Sequence, residues 1–491
     1  MRSLGGKFYI LGLATVFLVG SFFYHPQKSL ALSWEQVGTS GMGSGALSQT
    51  AVRLANLNGK IYASIGNPVT GVEIFSSTNG STWTQVNTDG FGSAVNADAV
   101  LIEYNSALYA GTVTGAPGAM AQLWRTTNGT SWTQVGTNGL GDILNTGIVG
   151  MGEFNGSLYL GVSNGVTGAE VFRLSSSDVL TQVNTDGFDD NNNFDVWSIT
   201  EYNNVLYAGT ENLNEGGEIW KSTNGTTWAK VMDGGFGDTS NVRICSLFVF
   251  AGDLYGGTLN NTTGTEVWRT TTGDTAWEQA NTDGFGDQHT IWTGDQVAIV
   301  NGTIYAGTRS INTDGAKLFR STNGSTWTQE GSAGFGDPTN NFAMYAVTFN
   351  SRIYLGISST TGAEIWRTST MGVLSIANET LDEGTVQTSY SETIDTGKGT
   401  LPFAWSLASG ALPDGLTFDF SAGTISGIPT KAGTFTFTLS VSDSGVPTQL
   451  ASKELSIKIN DVAATATATA TAEVLPETGR GTFFDWLLSL I

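Results

Sequence analysis

Arg53, Trp197, Arg243, Trp292, Asp295 and Tyr345 are the residues whose chemistry is least explained by the repetitiveness of this chain. They fall near the starts of successive copies of one repeated phrase, where most copies carry small or aliphatic residues. Aromatic faces stack on sugars or peptide side chains, and a few fixed charged groups orient what is stacked, so this set has the composition of a binding site. His289 stands three residues before Trp292 and is the only histidine beyond the first 31 residues. A serine hydrolase would need that histidine beside a matched acid and serine, and nothing in the chain spaces them. One cysteine, Cys245, and one such histidine make a poor zinc set. Carboxylate pairs for glycoside cleavage stay open, because acids are abundant and their separations are invisible at this level.

A second group of acids lies in loops that repeat Thr-Asp-Gly-Phe-Gly-Asp. Asp186, Asp190, Asp283 and Asp287 are the oxygen ligands that calcium prefers, although no run matches an EF-hand loop. The same Asp and Gly residues set tight turns, and the loop Phe is expected to plug between neighbouring units. Calcium is the only cofactor these residues suggest.

The elements that position both groups follow from the phrase itself. Leu206-Tyr-Ala-Gly-Thr210 is written seven times, its tyrosine recurring as Tyr62, Tyr109, Tyr159, Tyr207, Tyr255, Tyr305 and Tyr354. The steps are 47, 50, 48, 48, 50 and 49 residues, a period that means an array of one supersecondary unit. Within a unit the runs are four to seven residues long, rich in β-branched and aromatic types, and separated by turns such as Asn203-Asn204 and Asn224-Gly225. Four antiparallel strands per unit make a propeller blade. Six blades carry a fourth strand, at Trp83, Trp132, Leu180, Trp228, Trp277 and Trp327, and none follows Trp366. Trp34-Glu-Gln-Val37 stands before the first blade with the missing pattern. The expectation is an all-β chain whose seven-bladed β-propeller is closed by this N-terminal strand, which covers an otherwise open sheet edge. Its recurring tyrosine is then a packing residue, and blade-to-blade loops and Gly-rich loops share the face around the channel mouth.

Ser321-Thr-Asn-Gly-Ser-Thr-Trp327, with versions in six blades, resembles the Asp-box of sialidase-like and sortilin-like propellers. It departs at the Asp, where Thr78, Thr223 and Thr322 stand, and Asn-Gly fills the turn. The resemblance implies a fold, with the box on an outer hairpin away from any active site. A sialidase would further need three converging arginines, a Tyr/Glu nucleophile pair and an Asp acid, and the family's arginine-bearing motif near the start is absent.

After Met371 the pattern changes. Leu412-Pro-Asp-Gly-Leu416, Gly423-Thr-Ile-Ser-Gly-Ile-Pro429 and the alternating Phe435, Phe437, Leu439 and Val441 resemble the Ig-like, cadherin-like modules of bacterial surface proteins, which implies a small β-sandwich acting as spacer or adhesive unit. Residues 463–472 are an Ala-Thr tract that reads as an extended linker. Leu475, Pro476, Glu477, Thr478 and Gly479 then resemble the sortase signal for covalent attachment to a cell wall. At the other end, Arg2 and Lys7 precede an apolar run over residues 8–23, which reads as a secretory signal. The domains expected are a signal peptide at 1–31, the propeller at 32–370, an Ig-like domain at 371–462 and a linker with sorting tail at 463–491. Net charge is −22, which argues against nucleic acid or an anionic membrane as partner. The sequence thus points to an extracellular, wall-anchored binding or adhesion protein with a monomeric propeller and a glycan or protein ligand. The alternatives are a secreted glycan-acting hydrolase and a structural envelope protein.

Overall fold

The computed structural model describes residues 32, 34–38, 40–43, 50–300, 302–368, 374–397, 399, 402–443 and 449–462. The expected leader, the Ala-Thr tract and Leu475-Pro-Glu-Thr-Gly479 lie outside the described residues. Two compact units are present, the first ending at Ser369 and the second starting at Thr370. Both are built from β-strands, and the helical turns among the described residues are short 3-10 turns such as Asp89–Gly92.

The fourth copy of the repeat shows how the sequence makes its unit. Asn193–Tyr202 runs antiparallel to Val205–Asn212, which pairs with Ile219–Ser222, which in turn pairs with Ala229–Met232. Asn203 and Asn204 close the first hairpin at φ 51° and 60°, a left-handed conformation that asparagine tolerates and that matches strand twist. The first strands of the seven copies are Thr50–Leu57, Asn96–Tyr104, Gly147–Phe154, Asn193–Tyr202, Asn241–Phe250, Thr290–Thr293 and Asn340–Phe349. The sixth is cut short by Gly294, Asp295 and Gln296 before the chain resumes as Ala298–Val300.

The seventh copy ends at its third strand, Glu364–Thr368. Its fourth strand is Trp34–Gly38, antiparallel, with Trp34 opposite Thr368 and Gln36 opposite Trp366. Arg352 and Arg367 both donate to Glu35 Oε1, at 2.8 and 2.7 Å. The edge that the repeat leaves bare is therefore covered by the start of the described chain.

One aromatic joint links successive copies. Phe91 stacks on Trp124 of the next copy, with centroids 4.7 Å apart, and meets Trp132 edge-on. Phe188 does the same to Trp220 and Trp228, Phe236 to Trp268 and Trp277, and Phe285 to Phe319 and Trp327. Phe335 packs on Trp366 and, at 5.4 Å, on Trp34, so the N-terminal tryptophan takes the place other copies give to their own fourth strand. Each plug sits at positive φ (Phe91 at 57°, Phe188 at 56°), a strained conformation that the surrounding rings enforce. The recurring tyrosine packs across the same joints. Tyr62 lies against Gly129 of the next copy and leaves no room for a Cβ there, and Tyr354 of the seventh copy lies against Gly80 of the first in the same way. Gly71, at φ 95°, packs on Gly90, so the Gly-rich loop and the plug loop of a joint lie at one end of the copies.

The second unit has two sheets. One contains Gly384–Thr385, Leu450–Asn460, Gly433–Ser442 and Ala404–Gly410, the other Tyr390–Thr393, Thr424–Gly427 and Leu416–Asp419. Phe437, Leu439 and Val441 alternate into a shared core with Leu455, Ile457 and Ile459 from the first sheet and Ile425 from the second.

Candidate functional site

In five of the seven copies an asparagine at or just before the first strand pins its start. Asn193 Nδ2 donates to Gly187 O (3.0 Å) and to Glu218 Oε2 (2.7 Å) of the third strand, and Asn145, Asn241 and Asn340 repeat this with Glu170, Glu266 and Glu364. With that point fixed, the residue two positions on sits opposite the end of the second strand, four residues past the recurring tyrosine. Those pairs are Asp98–Val113, Gly147–Ser163, Asp195–Glu211, Arg243–Leu259, Trp292–Arg309 and Phe342–Ser358. A bulge follows in most copies, which turns the next residues inward.

Here the deviating side chains meet. Arg243 lies with its guanidinium carbon 3.9 Å from the centroid of Trp197 and 4.5 Å from that of Trp292, two rings at 89° to each other. Its Nε donates to Glu211 Oε2 at 2.5 Å. The Trp197 indole N–H is shared between Glu211 Oε2 (2.9 Å) and Asp195 Oδ2 (3.1 Å). The Trp292 indole donates to Asp295 Oδ1 at 3.1 Å. Arg53 is buried in an ion pair with Asp98 and lies 5.7 Å from the Tyr345 ring. The break in the sixth copy contributes here too, because Gln296 bridges to Tyr345 and carries Asp295 into the cluster. Below it is a cavity of about 310 Å³ lined by Val100, Met151, Trp197, Leu247, Asp295 and Tyr345, one residue from each of copies two to seven.

Burial governs the electrostatics. It raises the Asp195 carboxyl to about 7, with the neighbouring Glu211 charge adding to the effect. It raises Asp295 to about 6 against the opposing pull of Arg53 and Arg243. The Tyr345 hydroxyl and the Cys245 thiol are both pushed up by desolvation. Cys245 packs in the same apolar cluster as Trp292, Phe342 and Tyr345.

Six of the seven sequence-selected residues, Arg53, Trp197, Arg243, Trp292, Asp295 and Tyr345, belong to this cluster. His289 does not. The strand starts at Thr290, so residue 289 is still in the turn, where Asp287 Oδ1 accepts from its backbone N–H and holds its ring Nδ1, both at 3.0 Å. It lines a shallow cleft with Asp283 and Gln279 instead. Asp98, Asp195, Glu211, Arg309 and Phe342 are in the cluster without having been singled out. The signal for Glu211 and Arg309 was available: the fourth residue after the tyrosine is Gly66, Val113, Ser163, Glu211, Leu259, Arg309 and Ser358, and only two of these are charged.

The four aspartates expected to suit calcium already accept from protein donors. Asp186 and Asp283 accept from Gln182 and Gln279, each at 2.7 Å. Asp190 accepts from the backbone and side chain of Asn192 and from Asn212, and Asp287 from Lys317 at 2.6 Å and from His289. Among the described residues no three His, Cys, Asp or Glu side chains are gathered to hold a metal.

Residues 373–475 match the family model described as "Putative Ig domain". No curated protein matches the chain. Among solved structures, the extracellular domain of BT4673 from B. thetaiotaomicron is 15% identical, with a TM-score of 0.48 over 84% of this chain and 46% of that one. The chain thus spans less than half the length of that protein. The sialidase of Trypanosoma rangeli is 13% identical with a TM-score of 0.40, covering 69% of this chain and 59% of its own. The polysaccharide lyase Uly1 is 10% identical with a TM-score of 0.42, covering 70% and 100%. Among the described residues no helix is long and apolar enough to cross a membrane.

Proposed function

We propose that the seven copies close radially into a seven-bladed β-propeller, and that the mouth of its central cavity binds a glycan or protein ligand for a protein displayed outside the cell. The observation that carries the binding reading is convergence. Side chains that break the repeat in copies one, four, five, six and seven lie in one cluster over one cavity, at the end that bears the loops. Closure is supported by Trp34–Gly38 on the last strand and by Tyr354 on Gly80, the joint that other neighbours use. The Ig-like unit and Ala-Thr tract serve as a stalk, and Leu475-Pro-Glu-Thr-Gly479 as the attachment signal. Replacing Pro476 by Ala should then move the protein from the cell-wall fraction into the medium.

Binding fits the cluster better than hydrolysis. Asp195 and Glu211 stand opposite each other on paired strands, and both accept from the same Trp197 indole N–H. Glycosidase carboxyls stand about 5–9.5 Å apart, with the scissile bond between them. A glycan array probed with wild type, Trp197→Ala and Trp292→Ala tests the reading. A signal lost in both variants supports binding at the mouth, and release of a shortened product would favour the hydrolase instead.

A further inference from the structure

Arg309 differs from every other described arginine. Seven of those form ion pairs, and Arg173 stands opposite Tyr159 on the paired strand, where its charge opposes the upward shift that burial gives that hydroxyl. Among the described residues the guanidinium of Arg309 meets no carboxylate and no other hydrogen-bond acceptor, only the rings of Trp292 and Phe342, each 5.9 Å away. In a chain with 43 acids and 21 bases this is not for want of partners. The group is half-buried, and burial together with the charge of Arg243 lowers its pKa. Arg243 shares the Trp292 ring with it, and its buried Nη1 also lacks an acceptor. Asp295 Oδ2, on the same cluster, is buried without a donor. A desolvated cation beside a like charge is unfavourable until an anion joins it.

Resting on the mouth being a ligand site, we propose that its ligand is an acidic glycan, whose carboxylate or sulfate is held by Arg309 with the open Nη1 of Arg243. The sugar ring lies against Trp197, which is only partly buried, and a ring hydroxyl donates to Asp295 Oδ2. Arg53 pairs with Asp98 and lies against Tyr345, whereas Arg243 and Arg309 share the Trp292 ring. The choice of a glycan over an acidic peptide comes from that combination of aromatic face and hydroxyl acceptor beside the cations.

The test is titration calorimetry on the full chain with uronate and sulfated oligosaccharides, the same uronates after reduction of their carboxyls to alcohols, and poly-glutamate. At least one acidic oligosaccharide should bind, with tenfold or greater loss on carboxyl or sulfate removal and the same loss in Arg309→Gln. Unliganded Arg309→Gln should melt no lower than wild type, because the substitution relieves the repulsion from Arg243; a lower melting temperature would show that Arg309 is already compensated and overturn the argument. Equal affinity of wild type and Arg309→Gln for the acidic glycan, or no binding of any acidic glycan, would also overturn it. Tight binding of the neutral form that is lost in Trp197→Ala would overturn the anion proposal and leave the mouth reading intact. Binding of poly-glutamate alone would overturn the glycan class.

Discussion

The joints between copies and the mouth of the cavity are built from similar residue types to opposite ends. At a joint, the Phe plug, the two aromatic rings it meets and the Asn–Glu pair recur from copy to copy, and the Asn, Glu and third-strand Trp groups pair with one another. Asn241 donates to Gly235 O and Glu266, and Glu266 also accepts from Trp268 at 2.7 Å. At the mouth no two copies contribute the same set, and the atoms buried there without a partner among the described residues, Arg243 Nη1, Arg53 Nε and Asp295 Oδ2, belong to charged side chains, whereas those at the joints, such as Trp34 Nε1, Trp277 Nε1 and Asn340 Oδ1, are neutral. Repetition lets one solution be reused in which only neutral atoms are left unpartnered. The mouth has no such template, and its leftover hydrogen-bonding capacity is what a ligand can use.

Substitutions can separate the two regions. The largest effect is expected from deleting residues 33–37, which bares the edge of Glu364–Thr368 and removes Trp34 from Phe335. Trp34 is half-buried, and losing it together with the strand that covers the edge should cost on the order of 3 kcal/mol or more, so the melting temperature should fall by about 5 °C or more, and unchanged unfolding by circular dichroism would break the closure model. Phe188→Ala, at a joint, should cost about 3–5 kcal/mol of stability in denaturant titration while leaving affinity at the mouth within twofold. Trp197→Ala should do the reverse, with ligand affinity down tenfold or more and a smaller loss of stability. If both variants lowered stability and affinity in parallel, the distinction between joint and mouth would fall.

The pH response is smaller. Burial raises Asp195 from 3.8 to about 7, so the folded protein holds this proton more tightly than the unfolded chain. The associated stability is complete below about pH 4 and is lost as pH rises through about 7. Asp195→Asn cannot ionise, so its melting temperature should gain on wild type between pH 5 and pH 8. A constant gap would mean that Arg243 and Trp197 compensate the charge fully. The smallest effect expected is that of calcium. Because Asp186, Asp190, Asp283 and Asp287 already accept from protein donors, millimolar calcium should shift the melting temperature by under about 1 °C, whereas a tight site would contribute several kcal/mol at saturation.

Much of the strand layout was legible because the repeat is redundant. Seven tyrosines set the number of units, and the missing partner of Trp366 pointed to Trp34, which does pair there. The plugging role of the loop Phe was legible for the same reason. The site was legible only in part. Searching the starts of the first strands found Arg53, Trp197, Arg243, Trp292, Asp295 and Tyr345, but not Glu211 and Arg309 on the strands opposite. His289 was grouped with Trp292 through closeness in sequence, and a turn held by Asp287 keeps it apart.

By itself, then, the sequence determined which residues repeat and which deviate, since periodicity needs no coordinates. It also determined the local strands and turns, which depend on neighbours a few residues away. Only the tertiary structure decided that Arg53, Arg243 and Tyr345, separated by some hundreds of residues, share one cluster. It also decided that Asp98 neutralises Arg53 while Arg309 is left without an acid. Those outcomes depend on bulges that re-aim single side chains and on how the units pack around a common cavity, which no local pattern encodes.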